Sequence, residues 1–101
     1  MPLVWRSKPA FDPETEAELA HYLRALAHPA RVRLFRSILE RRESLCGDLA
    51  GEVPLAQSTV SEHLRVLREA GLVECRVEGS RRFYGVSTDA LDRLRKLLRG
   101  I

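Results

Sequence analysis

"AQSTVSEHLRVLREAGLV", residues 56–73, is the stretch on which the fold turns. Val60, Leu64 and Leu67 recur at helical spacing, so one stripe is apolar. Opposite them stand Gln57, Ser58, Thr59, Ser61, Glu62 and Arg65, mostly small or hydroxyl and amide groups. A face meant only for solvent would carry the Lys/Glu pairs that support an isolated helix. Gly71 stops the run in the usual C-terminal position. The spacing predicts a helix over about residues 56–69 whose outer side is built for contact.

Upstream, residues 1–11 (MPLVWRSKPAF) hold two prolines and no period. They read as an N-terminal arm laid across the body through Leu3, Val4 and Trp5, or as a frayed terminus. Residues 12–101 form one domain. Asp12 before Pro13 opens a first helix, with Thr15 and Glu18 as a second capping option. Leu19, Tyr22, Leu23 and Leu26 form its stripe. Pro29 suits the first turn of a second helix, with His28 just outside it. Val32, Phe35, Ile38 and Leu39 line one side of that helix, and Arg31, Arg33 and Arg36 fall mostly off it. Ser44 is placed to cap a short third helix, "LCGDLAGE", which "VP" ends.

Downstream, the period changes to two. Val73, Cys75 and Val77 alternate with Glu74, Arg76 and Glu78, which turns the first set toward the core. "EGSRR" reverses the chain and "RFYGV" runs back. Ser87 or Thr88 caps a last helix bearing Leu91, Leu94, Leu97 and Leu98. The expected architecture is mainly α with a small β-hairpin, in the order α-α-α-α-β-β-α, without internal repeats.

The length of 101 residues allows one domain with a modest core, so a second subunit can finish the helix stripes. The formal charge is only +3, yet 15 of the 17 basic residues are arginines. Arginine's planar fork suits phosphates and guanine edges. A GC-rich genome or a hot habitat gives the same bias, so composition leaves both readings open. No run approaches the roughly 18 apolar residues of a membrane span, and no signal-peptide pattern opens the chain. The expected location is cytoplasmic. Two cysteines without a secretion signal argue against a disulfide framework. With no nucleophile–base spacing, glycine-rich phosphate loop or metal cluster, neither an enzyme nor a cofactor is expected.

A short helix, a tight turn, a second helix and a hairpin make a winged helix-turn-helix. The second helix of such a motif enters the major groove of double-stranded DNA with its N-terminal side chains toward base edges. Gln57 is suited to adenine, Ser58, Thr59 and Ser61 to bases or phosphates, and Arg65 to guanine or the backbone. Glu62 repels phosphate but can accept from cytosine N4. Arg81 and Arg82, in a wing over about residues 76–83, would meet the minor groove or flanking phosphates. Each assignment has a rival. Ser58 or Thr59 can cap the helix, Thr59 with Glu62 spells a capping box, and the wing arginines can be a solvated turn. His63 is expected to point sideways, toward the wing or the short helix.

The stretches "LRALAHPARVRLF", "DLAGEVPLAQSTVSEHLRVLREAGLV" and "VEGSRRFYGV" resemble the ArsR/SmtB family of bacterial winged-helix repressors over about residues 23–86. The resemblance implies a homodimer that binds an inverted-repeat operator and blocks transcription until a signal releases it. It also implies a dimer interface of first and last helices, here Leu19, Tyr22 and Leu23 with Leu91, Leu94 and Leu98. By position it carries over Gln57, Ser58, Thr59, Ser61 and Glu62 in the recognition helix, with Arg81 and Arg82 in the wing. Two departures stand out. Ala56 sits where the family usually has Ser or Thr, a lost cap worth about 1 kcal/mol, or one that moves the helix start to Ser58 or Thr59. Glu62 sits where relatives often carry His or a basic residue.

Many relatives sense metals, yet the ligands are missing here. Their short-helix site uses a Cys-x-Cys pair directly before Asp-Leu. Aligned on Asp48 and Leu49, those two positions are Leu45 and Gly47, and Cys46 falls out of register between them. The last helix offers Asp89 and Asp92 without a histidine. Cys46 and Cys75 read as core thiols. A redox-sensing repressor using both requires their Cα atoms within roughly 7 Å. His21 and His28 read as ordinary. The effector is left unassigned, and a winged-helix protein-interaction module without specific DNA binding is the alternative from another class.

Overall fold

The computed structural model describes residues 11–101. The arm proposed for residues 1–11 lies outside them except for Phe11, which packs partly buried against the core.

Helix α1 spans Pro13–Leu26. Asp12 caps it, its carboxylate accepting from the Thr15 amide and hydroxyl, each at 2.8 Å. Those bonds, the amide's first, hold the Asp12 carboxyl below its ordinary range. Helix α2 spans Pro29–Arg41, and His28 caps it by accepting from the Ala30 amide through Nδ1 at 3.1 Å. It ends at Arg42, whose φ of 67° and ψ of −44° are strained for a residue with a side chain.

A short strand then appears where the sequence suggested only a cap. Strand β1, Ser44–Leu45, pairs antiparallel with β3, Arg81–Val86, in the register Ser44↔Tyr84 and Leu45↔Phe83. Ser44 therefore does not cap helix α3, Cys46–Ala50. Leu45 precedes that helix without a side-chain cap, and the buried Ser44 hydroxyl finds no partner among the described residues. Strand β2, Val73–Glu78, pairs with the other edge of β3, so the sheet order is β1-β3-β2 and the chain runs α-α-β-α-α-β-β-α. Ser87 caps helix α5, Thr88–Arg99, by accepting from the Ala90 amide at 3.3 Å.

Leu34, Ile38, Leu49, Val60, Leu64, Leu67, Leu72 and Val73 form the dry centre that joins α2, α3 and the sheet to α4, Gln57–Glu69. Burying a side chain of this size stabilises by roughly 1.5–3 kcal/mol. The stripe of α2 is rotated from the expected one: Leu34, Phe35 and Ile38 point inward, while Val32 and Leu39 are exposed. Alternation in β2 also fails beyond Cys75. Val77 is 58% exposed because the hairpin has by then run past the body that would cover it.

Helices α1 and α5 lie antiparallel. Phe11, before the start of α1, adjoins Gly100, past the end of α5, and Glu18 pairs with Arg93 at 2.7 Å. Of the six residues assigned to a dimer interface, Leu19 and Leu94 are buried within the protomer. Leu23 and Leu98 are exposed, and Tyr22 and Leu91 are half-buried.

Candidate nucleic-acid interface

Helix α4 begins at Gln57, with Ala56 extended at the cap position and no side chain capping it. The Thr59 and Val60 amides both donate to the Ala56 carbonyl at 3.0 Å. The start has not moved to Ser58 or Thr59. Both hydroxyls stay exposed and make no hydrogen bond among the described residues. Glu62 does not turn back to complete a capping box; it pairs forward with Arg65, which donates to it at 3.0 Å. The capping rival thus falls, and the hydroxyls are unspent.

At 100° per residue the helix sorts its exposed groups. Ser58, Glu62, Arg65 and Glu69 lie along the outermost ridge. Gln57 and Ser61 flank one side, where with Arg81, Arg82 and Ser80 of the hairpin and Cys46 and Asp48 of α3 they line a groove of about 450 Å³. Thr59 is on the other flank. The residues named from sequence therefore share one end of the molecule but not one line.

Arg65 differs most from expectation. Glu62 and Glu69, three residues before it and four after, both hold its guanidinium. They raise its pKa, with the Glu62 hydrogen bond as the leading cause, and the same bond lowers that of Glu62. Both carboxylates would have to yield for Arg65 to reach another anion.

The wing arginines are in the opposite condition. The hairpin closes through Gly79 and Ser80, with Gly79 at φ 60° and Glu78 opposite Arg81. A positive φ at the first of two loop residues is the type II′ pattern that glycine favours. Glu78 of the hairpin and Glu43, just before β1, both pair with Arg76, the latter at 2.6 Å, and Arg76 lies 4.5 Å over the Phe83 ring. Arg81 leans on the same ring at 5.5 Å. Neither Arg81 nor Arg82 has an ion-pair partner among the described residues. Both are exposed, and Phe83 stiffens one of them.

His63 faces neither the wing nor α3. It is buried against α2, its Nδ1 accepting from Arg31 Nε at 3.1 Å and its ring 4.4 Å from that of His28. Burial first, then the charges of His28 and Arg31, lowers its pKa, while Glu62 raises it more weakly. His63 is thus a neutral acceptor that locks the recognition helix to α2. His21 bonds the Ala70 carbonyl at the other end of α4, at 3.1 Å. The sequence hid both roles, since direction around a helix depends on what packs beside it.

A family model described as "Helix-turn-helix domain" matches residues 26–76. The biofilm growth-associated repressor of Agrobacterium fabrum is 39% identical over 84 residues, 83% of this chain and 71% of its own length. A crystal structure titled as a possible transcriptional regulator for arsenical resistance superposes with a TM-score of 0.73 at 38% identity, covering 78% of this chain and 81% of its own. NolR from Sinorhizobium fredii does so with 0.68 at 34%, covering 91% and 94%. The chain belongs to the ArsR/SmtB family. Its members are transcriptional regulators built on a DNA-binding winged helix, and the hairpin and α4 are those parts here.

No group of three or more His, Cys, Asp or Glu is positioned to hold a metal ion among the described residues. Nor is any described helix long and apolar enough to cross a membrane. Cys46 and Cys75 are both half-buried free thiols, which places them less deeply than core thiols. Cys46 lines the groove and lies 3.6 Å from the Ser61 hydroxyl. Cys75 sits across β3, opposite Tyr84, which pairs on its other side with Ser44. Cys46 opens α3 directly after β1, and Cys75 stands on β2 at the far side of β3. The Tyr84 phenol lies among the thiols, and burial first, then Cys75 and Cys46, pushes it above its ordinary range.

Proposed function

We propose that this chain is a homodimeric, sequence-specific DNA-binding repressor that acts in the cytoplasm on an inverted-repeat operator. One observation carries the reading. Among the described residues the wing guanidiniums of Arg81 and Arg82 lack ion-pair partners, and they share a groove with Gln57 and Ser61, beside the unspent hydroxyls of Ser58 and Thr59. A protein-interaction surface needs no such set of short donors and acceptors beside free guanidiniums. In the reading, α4 lies in the major groove with Gln57, Ser58, Thr59 and Ser61 toward base edges, and Glu62 accepts from a cytosine amine. The wing meets phosphates or the minor groove. Arg65 acts second, after release from Glu62 and Glu69. The second copy covers the outer side of α1 and α5 at Leu23 and Leu98, with Tyr22 and Leu91 at its margin.

Selection from random duplex DNA tests this. The expected product is a pseudo-palindrome with half-site centres about one helical turn apart, bound by a dimer in gel filtration. Failure to enrich any site would refute specific readout.

A further inference from the structure

On the flank of α4 away from the wing, α1, α2 and α4 border an open cleft of about 370 Å³. Three guanidiniums, those of Arg24, Arg31 and Arg65, line it against the single carboxylate of Glu69, over an apolar floor at Ala25 and Val66. The cations differ in what they have left to give. Arg65 is already held by Glu62 and Glu69. Arg31 is fixed by its bonds to His63 Nδ1 and, at 3.4 Å, to the Ala25 carbonyl, which leaves its other terminal nitrogen unused among the described residues. Arg24 makes no side-chain hydrogen bond or ion pair among them. Two cations with spare donors over an apolar floor suit one carboxylate joined to a hydrophobic body, and the volume falls in the range of small-molecule sites.

We infer that this cleft binds a small organic monocarboxylate, its carboxylate taken by Arg24 and Arg31 and its apolar body laid on Ala25 and Val66. The effect on DNA rests on the regulator reading above. Arg65 belongs both to the cleft wall and to the outer ridge of α4, so an anion in the cleft competes with Glu69 for it. The same anion adds negative charge beside the surface that would meet phosphates. Occupancy therefore weakens DNA binding. A duplex phosphate offers similar oxygens without the apolar body, and the test separates the two.

The probe is sodium benzoate, titrated into the full ¹⁵N-labelled chain without DNA, beside inorganic phosphate and sodium chloride at matched ionic strength. Saturable shifts of the His21, Val66 and Ala70 amides with benzoate are expected. They should be lost in Arg24→Gln, an exposed position, and kept in Arg81→Ala. No saturation with benzoate overturns the site, and equal shifts with phosphate overturn the monocarboxylate and assign the cleft to the DNA backbone. In a second arm, benzoate raises Kd for the selected duplex by about fivefold or more, the lower end of ordinary coupling between sites, and Arg24→Gln abolishes the rise. Saturation in the first arm with an unchanged Kd overturns the effector role. If no duplex is bound at all, the regulator reading fails while the DNA-free titration still decides the cleft.

Discussion

Removing both wing arginines, Arg81→Ala/Arg82→Ala, should change how DNA affinity depends on salt more than it changes the protein. Each phosphate neutralised by a cation releases counterions and adds about 0.9 to the slope of log affinity against log salt. Two unpaired guanidiniums per protomer make four per dimer, so the slope should flatten by up to about 3.6. Over a fourfold rise in salt, from about 50 to 200 mM, the variant should then escape an affinity loss of about 150-fold that the parent suffers. Arg76 supplies the control. It sits on the same hairpin with the same charge, but Glu43 and Glu78 already hold it, so Arg76→Ala should leave the slope nearly unchanged. Fluorescence anisotropy on the selected duplex at four or five salt concentrations reads both, with circular dichroism to confirm that the variants fold. An unchanged slope in the double variant, or an equal flattening in Arg76→Ala, would refute the argument from uncommitted charge.

Glu62→Gln should loosen Arg65, leaving Glu69 as its one carboxylate partner, and remove a charge from the outer ridge, so affinity for random duplex should rise; weaker binding to the selected duplex alone would show that Glu62 itself reads the operator. His63 has a pKa below its unfolded value, so its contribution to stability is present above about pH 6.5 and is lost as pH falls toward the folded value. Urea midpoints should therefore drop from pH 7.5 to 5.5, and by less in His63→Gln, which retains an acceptor for Arg31. Leu64→Ala, at a fully buried position on α4, should cost about 2–5 kcal/mol in chemical denaturation. Arg42→Gly should raise the unfolding free energy by about 1 kcal/mol by relieving the positive φ after α2, and a loss would place a stabilising contact on the Arg42 side chain.

The helices were legible because apolar residues at three- and four-residue spacing report an inward face regardless of what packs there. Strand β1 was not: Ser44 and Leu45 are too short to show a period, and only the edge of β3 makes them a strand. Spacing also could not divide the stripes of α1 and α5. Leu19 and Leu23 look alike in sequence, yet one is consumed by its own chain and the other is left outside. The fork on Arg65 was readable, since Glu62, Arg65 and Glu69 stand at the intervals where helical ion pairs form. The hydroxyls around it suit DNA equally well, so spacing alone does not rank the two partners of Arg65. His63 required tertiary knowledge, as only the placement of α2 tells which way its ring turns.

Ala56 leaves the opening turn of α4 without the side-chain clasp that most helices have. In the free protein that turn should unravel and re-form readily, so the amide protons of Gln57 and Ser58 should trade with solvent quickly while those beyond Val60 trade slowly. An anionic oxygen arriving at those amides would fasten the turn at the moment of docking. The side chains that inspect the bases would then become rigid only on a duplex that fits, and hurried encounters with other sequences would find them still in motion.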